Sequence, residues 1–426
     1  MKRSAAILPF IFLLLCSCSV QKRLAKDANN LINDSLLTHA FIGIAVYDVA
    51  ANKYLFYHDA DKYFIPASNT KLFTLYAGLQ YLGDSLPGLR YYQVSDTSVM
   101  IVPTADPTFL HPAFKNQPAF AFLQKFTSIG IHFPAFTSYL GKGWAWDDYE
   151  QSYMAQRSSM PLYGNVINIS LIGSNPTVSP KRFFDDLTIQ ENITLGFDIK
   201  KAWDNNNIQL ISGSNQSAEI PFRPDEATIL TLLSDTLKNK IQAIALPPGV
   251  VFTSLPSQRV DSFYRMMMHN SDNFFAEQTL LMVSLKLTGQ LNVEKTIRTV
   301  LQSNLENLPQ KPKWVDGSGL SRYNLFTPGN FIEILKKLQD TFGIARLKNI
   351  LATGGQGTLE NYFQADSTNI YAKTGTLSNN LALSGYLFTS HNRRLIFSIM
   401  ANHYPGNATP VRRSIEKFIK SIIKNY

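Results

Sequence analysis

Leu72, Leu75, Leu79 and Leu82 recur at helical spacing within "ADKYFIPASNTKLFTLYAGLQYLG". Pro66 stands just ahead of this run, and Gly83 at its expected end. A helix this apolar has to be buried, and it carries Ser68 and Lys71 with it. The two residues are three apart, so they share a face one turn from each other. A fold that accepts this helix must take a lysine out of water beside a serine hydroxyl.

The Ser-x-x-Lys spacing alone selects nothing, because it occurs four times: Ser19/Lys22, Ser68/Lys71, Ser414/Lys417 and Ser421/Lys424. A serine hydroxyl is a weak nucleophile at neutral pH and needs a positioned base. A lysine serves as one when desolvation or a cationic neighbour lowers its pKa. Ser19/Lys22 lies in a polar amino-terminal stretch. The two carboxy-terminal pairs share one helix whose lysines read as a solvated face. Only Ser68/Lys71 opens an apolar helix.

The rest of the chain supplies partners. "FIGIAVYDV" and "KYLFYHD" read as a β-hairpin. "RVDSFYRMMMHNSDNFFAEQTLLMVSLKLTG" reads as two helices separated by a turn that holds Ser271, Asp272 and Asn273. Thr327 and Pro328 are placed as N-cap and first residue of a further helix. "NIYAKTGTL", "NLALSGYLFTS" and "RLIFSIMANHY" predict an antiparallel meander, followed by a terminal helix over about 410–425. The first of these strands carries Lys373, Thr374, Gly375 and Thr376. Residues 91–250 differ, with short strand-like runs and frequent turn signals, and read as a β-rich insertion of one or two small domains. The domain reading is 18–90 and 251–426 for one split unit, with 91–250 inserted. The fold class is α/β (α+β), an antiparallel sheet flanked by helices.

Both cysteines, Cys16 and Cys18, follow "MKR" and a short apolar run, the pattern of a secretory leader. "Leu15-Cys16-Ser17-Cys18" resembles a bacterial lipoprotein signal, so residues 1–17 are expected to be removed and Cys18 lipidated, anchoring the chain to a membrane. The remainder then has no disulfide pair and no cysteine-based zinc site, and no cofactor is expected. A net charge of +9 suits an anionic surface such as a cell-wall polymer. There is no dense Lys/Arg run with interleaved aromatics, so nucleic acid is not an expected partner.

Ser-x-x-Lys, Ser-Asp-Asn and Lys-Thr-Gly together form the set of penicillin-binding proteins and class A β-lactamases. "PASNTK", "NSDN" and "AKTGT" resemble in particular the motifs of the low-molecular-mass class C penicillin-binding proteins, the D-alanyl-D-alanine carboxypeptidase/endopeptidases of peptidase family S13. "GKGWAWDDYEQSYMA" (141–155), "WVDGSGLSRYNLFTP" (314–328) and "ATGGQGTLEN" (352–361) resemble further segments of that family. The resemblance implies peptidoglycan stem peptides as substrates and β-lactams as acylating ligands. It implies Ser68 as nucleophile, Lys71 as base, Ser271 with Lys373 for proton transfer, and Asn273 bonded to Lys71. Thr374 and Thr376 with Lys373 would bind the terminal carboxylate, and the N–H groups of Ser68 and Thr376 would hold the oxyanion. Arg322 is read as structural. The family's glycine-rich "GGGDP" segment is "VPTADP" (102–107) here, which puts its tight backbone turns in question. The alternatives are a non-catalytic wall-binding lipoprotein and a β-lactamase. A class A β-lactamase carries a Glu-x-x-x-Asn segment, and none of the ten glutamates has Asn four residues on.

Overall fold

The structure, a computed structural model, describes residues 21–136, 138–173, 175–191, 197–212 and 216–426. Cys16, Cys18 and the expected leader lie outside the described residues.

One six-stranded antiparallel sheet organises the chain. Its order is Ala352–Thr353, Ile370–Leu377, Asn380–Phe388, Arg394–Asn402, Phe41–Asp48 and Lys53–His58. The expected hairpin and meander are both here, joined through the pairing of Phe41–Asp48 with Arg394–Asn402. The three central strands are buried along nearly their whole length. Strands covered on both faces read as continuous apolar runs rather than alternating ones, which is how "NLALSGYLF" and "RLIFSIMAN" look in the sequence.

Helices cover each face. On one side Lys71–Tyr81, Val260–His269, Asn273–Thr288 and Pro328–Phe342 pack around Leu72, Phe73, Phe263, Phe275, Phe331 and Leu335. On the other, a helix over 21–32 and the terminal helix Ala408–Asn425 enclose Leu24, Leu31, Ile415, Phe418 and Ile419. The cap expected at Thr327 is present. Its hydroxyl accepts from Asn330 N–H at 3.0 Å, Asn330 Oδ1 accepts from Thr327 N–H at 3.0 Å, and Pro328 is the first helical residue.

Between Leu89 and Leu255 the chain forms three smaller sheets around a separate apolar cluster that includes Val99, Ile101, Ile129, Ile167 and Leu232. Thr253–Leu255 pairs with Leu89–Tyr91 and brings the two ends of this region together. The "VPTADP" segment carries a left-handed residue despite its lack of glycine. Ala105 itself adopts a left-handed conformation, φ 64°. Its N–H donates to Ser159 O at 2.9 Å, and Gln278 Nε2 donates to Ala105 O at 2.9 Å and Ser158 O at 2.8 Å. Asp106 Oδ1 accepts from both N–H and Oγ1 of Thr108. These bonds offset the roughly 1–2 kcal/mol that an L-residue costs in that conformation.

Candidate active site

Ser68 does not begin the α-helix itself. It lies in a 3-10 turn, Ala67–Thr70, that runs straight into Lys71–Tyr81. Ala67 is left-handed, φ 47°, a strained conformation of the kind that clusters at functional sites. The turn is pinned to the sheet. Asn402 Oδ1 accepts from Ile65 N–H at 2.7 Å, and Asn69 Nδ2 donates to Ser384 Oγ at 2.7 Å. Ser68 stays half-exposed while Asn69, Thr70 and Lys71 are buried.

Lys71 is fully buried and has three acceptors: Ser68 Oγ at 2.9 Å, Asn273 Oδ1 at 2.6 Å and Ser318 O at 2.7 Å. Three acceptors satisfy all three hydrogens of an ammonium. Burial lowers its pKa to about 8, against the opposing pull of Asp272, Asp316 and Glu277. The acids lie behind it. Glu277 Oε1 accepts from Ser318 N–H at 2.7 Å, and its other oxygen is 3.5 Å from Arg157. Burial, and then the neighbouring Asp316, raise the Glu277 pKa to about 7. Asp316 accepts from Trp144 Nε1, the N–H groups of Gly319 and Ser321, and Asn324 Nδ2, at 2.6–2.9 Å. This fixes the loop 316–321, which presents Ser318 O to Lys71. Gly319, at φ +85°, passes so close that an added Cβ would lie 1.9 Å from Ala67 O.

Ser271 and Lys373 form the second pair. Ser271 is left-handed, φ 55°, in the turn between the helices Val260–His269 and Asn273–Thr288. Asp272 caps the second helix by accepting from Phe275 N–H at 2.8 Å, so the acid orients this turn. Lys373 Nζ donates to Ser271 Oγ and to Thr374 O, both at 2.9 Å. It is fully buried, and burial followed by the nearby Lys71 charge takes its pKa well below the ordinary lysine value. Gly375 is required by contact: a Cβ there would meet Pro66 O at 2.5 Å, Asn69 N at 3.0 Å and Ser68 N at 3.1 Å. The Lys-Thr-Gly strand therefore lies directly against the Ser68 turn.

A cleft of about 340 Å³ opens beside these groups. Its lining includes Ser68, Tyr153, Asn273, Arg322 and Thr376. Asp148 and Arg322 put opposite charges in its lining. Of the eight candidate residues, Ser68, Asn273 and Thr376 line this cleft; Lys71 bonds to Ser68 and Asn273, Lys373 bonds to Ser271, Gly375 lies against Ser68 N, and Thr374 lines a smaller hollow with Gly375 and Thr376. Asn273 Nδ2 donates to Tyr153 O at 2.9 Å, which engages its amide with the protein as well as with Lys71. Sequence reasoning passed over Glu277 and Arg157, and took Trp144 only as part of the 141–155 segment. Glu277 had a signal, being an acid inside a run, "FFAEQTLLMV", that is otherwise too apolar to face water.

The model of the D-Ala-D-Ala carboxypeptidase 3 (S13) family matches residues 24–218 and 226–426. The chain is 24% identical to a D-alanyl-D-alanine carboxypeptidase of Actinomadura sp. (strain R39), over 90% of this chain and 82% of that protein. It is 23% identical to penicillin-sensitive carboxypeptidase A of Dictyostelium discoideum, over 66% of this chain, and spans 62% of that relative's length. Among solved structures, penicillin binding protein 4 (dacB) from Haemophilus influenzae superposes with a TM-score of 0.75 at 18% identity. The match covers 93% of this chain and 99% of the other.

Proposed function

The chain belongs to the D-Ala-D-Ala carboxypeptidase 3 (S13) family, and on that premise we propose that it is a penicillin-binding serine D-Ala-D-Ala carboxypeptidase/endopeptidase of the cell envelope. Its substrates are peptidoglycan stem peptides, and β-lactams acylate the same serine. The observation that carries the reading is Lys71, buried without exposure and bonded to Ser68 Oγ at 2.9 Å.

Ser68 Oγ attacks the carbonyl between the two D-alanines. Lys71 takes its proton after giving up one of its own. A pKa of about 8 leaves a usable neutral fraction near neutral pH. The N–H groups of Ser68 and Thr376 receive the oxyanion, and the contact between Gly375 and the Ser68 turn supports that pairing. Ser271 passes a proton to the departing D-Ala, with Lys373 at 2.9 Å holding and tuning its hydroxyl. Water then releases the acyl group. Asn273 and Ser318 O hold Lys71 in line throughout.

Lipid attachment at Cys18 is part of the proposal and rests on "Leu15-Cys16-Ser17-Cys18". No helix among the described residues is long and apolar enough to cross a membrane. The test is to incubate the purified protein with labelled penicillin and map the adduct. A label on Ser68, absent from Ser68→Ala, together with D-Ala release from muropeptides, is the expected result. An unlabelled protein that releases no D-Ala would sink the enzyme reading and favour a non-catalytic wall-binding role.

A further inference from the structure

The Lys-Thr-Gly strand has a third basic neighbour that no motif announces. Arg412, on the terminal helix, donates from Nη2 to Thr376 Oγ1 at 2.8 Å. A guanidinium can only donate. Thr376 Oγ1 is therefore the acceptor in this bond, and its own hydrogen is left for another partner. Thr376 lines the cleft beside Ser68. It also lines a smaller hollow on the other side, together with Thr374, Gly375 and Arg412. The threonine thus stands as a wall between the cleft and the arginine.

The charge of Arg412 is not spent on the protein. Among the described residues it makes no ion pair, whereas its neighbour Arg413 is held by Glu416 at 2.6 Å. Lys373 is poorly suited to be the only counter-ion for a substrate carboxylate. It is fully buried, two of its donors are used on Ser271 Oγ and Thr374 O, and its surroundings disfavour the charged form. Arginine stays protonated at any relevant pH. The strand edge is also open where this matters. Ala352–Thr353 pairs only with Tyr371 and Ala372, which leaves Lys373–Leu377 without a strand partner on that side among the described residues. An extended peptide can add itself along such an edge.

We propose that Arg412 belongs to the carboxylate-binding site, where it holds Thr376 with the hydroxyl hydrogen turned to the substrate and supplies the permanent positive charge that selects a free C-terminal carboxylate. Arg412 is a positioning residue, since it acts through Thr376. The inference rests on the D-Ala-D-Ala peptidase reading given above.

The test compares two soluble peptides with each variant: a stem-peptide analogue ending in D-Ala-D-Ala acid, and the same peptide as its C-terminal amide. In Arg412→Gln the acid-to-amide ratio of kcat/KM falls roughly 10- to 100-fold, the range for one lost charge-assisted bond. The loss falls mainly on KM for the acid. Arg412→Lys keeps the charge and recovers part of the ratio. Equal losses on both peptides, or an unchanged ratio, would overturn the proposal. A wild-type protein that cleaves neither peptide and takes no penicillin on Ser68 would instead overturn the peptidase reading, and this inference with it.

Discussion

Ser68/Lys71 and Ser414/Lys417 have the same spacing and opposite surroundings. Lys71 is fully buried, with three acceptors and two buried acids behind it. Lys417 is exposed on the terminal helix. Ser414 does not address its lysine at all; it donates to Asp34 Oδ2 at 2.6 Å, and Ser421 likewise donates to Asp27 Oδ2 at 2.8 Å. The lysines of this helix are exposed, as expected of a solvated face, while the two serines fasten the helix to the amino-terminal segment. Helical spacing brings a serine and a lysine within reach. The packing around them decides whether the lysine can give up its proton.

The largest effect should come from removing the base. Lys71→Met is expected to lower the rate of penicillin acylation by about 10²–10⁴-fold, the usual contribution of a general base. Its melting temperature should not fall in proportion, because a buried charge is replaced by an apolar side chain of similar length. Lys417→Met should leave acylation unchanged. A matching loss in both variants would erase the contrast between the two pairs.

Next in size is the loop that carries Ser318. Gly319→Ala places a Cβ at a positive φ and 1.9 Å from Ala67 O. It is expected to cost about 3 kcal/mol or more in urea unfolding and to displace the turn that carries Ser68. Gly289, also at positive φ but with open space around it, provides the control; alanine there should cost only about 1 kcal/mol. Equal costs would mean that the backbone conformation matters and the contact does not.

The pH dependence separates the base from the acids behind it. On the proposed mechanism acylation needs neutral Lys71, so its rate should climb as pH rises toward about 8 and then level off. Glu277 acts on stability in the other sense. Its pKa is raised from 4.5 to about 7, so between those values the folded protein holds more of its proton than the unfolded chain does. The stabilisation is complete below about 4.5 and is lost as pH rises through about 7. Its upper limit is about 3 kcal/mol. Glu277→Gln should flatten that slope in denaturant titrations at pH 5 to 8. A slope unchanged by the substitution would show that Glu277 is not the titrating group.

The three motifs were legible because each is short and lies on an element whose type the sequence reveals. Leu72, Leu75 and Leu79 mark the helix behind Ser68, and the apolar runs after Ile370 mark the sheet. The supporting residues were not legible to the same degree. Asp316 lay inside the quoted "WVDGSGLS" segment, but nothing local says that it gathers Trp144 from 172 residues away. Arg412 is one of two adjacent arginines on an amphipathic helix, and only the tertiary fold sets it on Thr376 while Arg413 meets Glu416. "VPTADP" misled in the other direction. The segment lacks the glycine that makes a left-handed residue easy, yet Ala105 adopts that conformation, with its N–H donated to Ser159 O and its carbonyl accepting from Gln278.

The smallest expected effect lies at the other member of the comparison. Ser414→Ala removes one hydrogen bond to a carboxylate in a half-buried setting, and Ser421→Ala removes another seven residues along the same helix. Seven residues are about 10 Å of helix, and the two serines have different partners, so their losses should add. Each should cost about 0.5–1.5 kcal/mol in urea unfolding, and neither should change the labelling of Ser68 by penicillin. The bonds join the two ends of the described chain, Asp34 to Ser414 and Asp27 to Ser421, on the sheet face away from the cleft. A loss of labelling in Ser414→Ala with stability intact would mean that this face communicates with the nucleophile. The contrast between the two Ser-x-x-Lys regions would then have to be redrawn as one between a reacting pair and a pair that positions it.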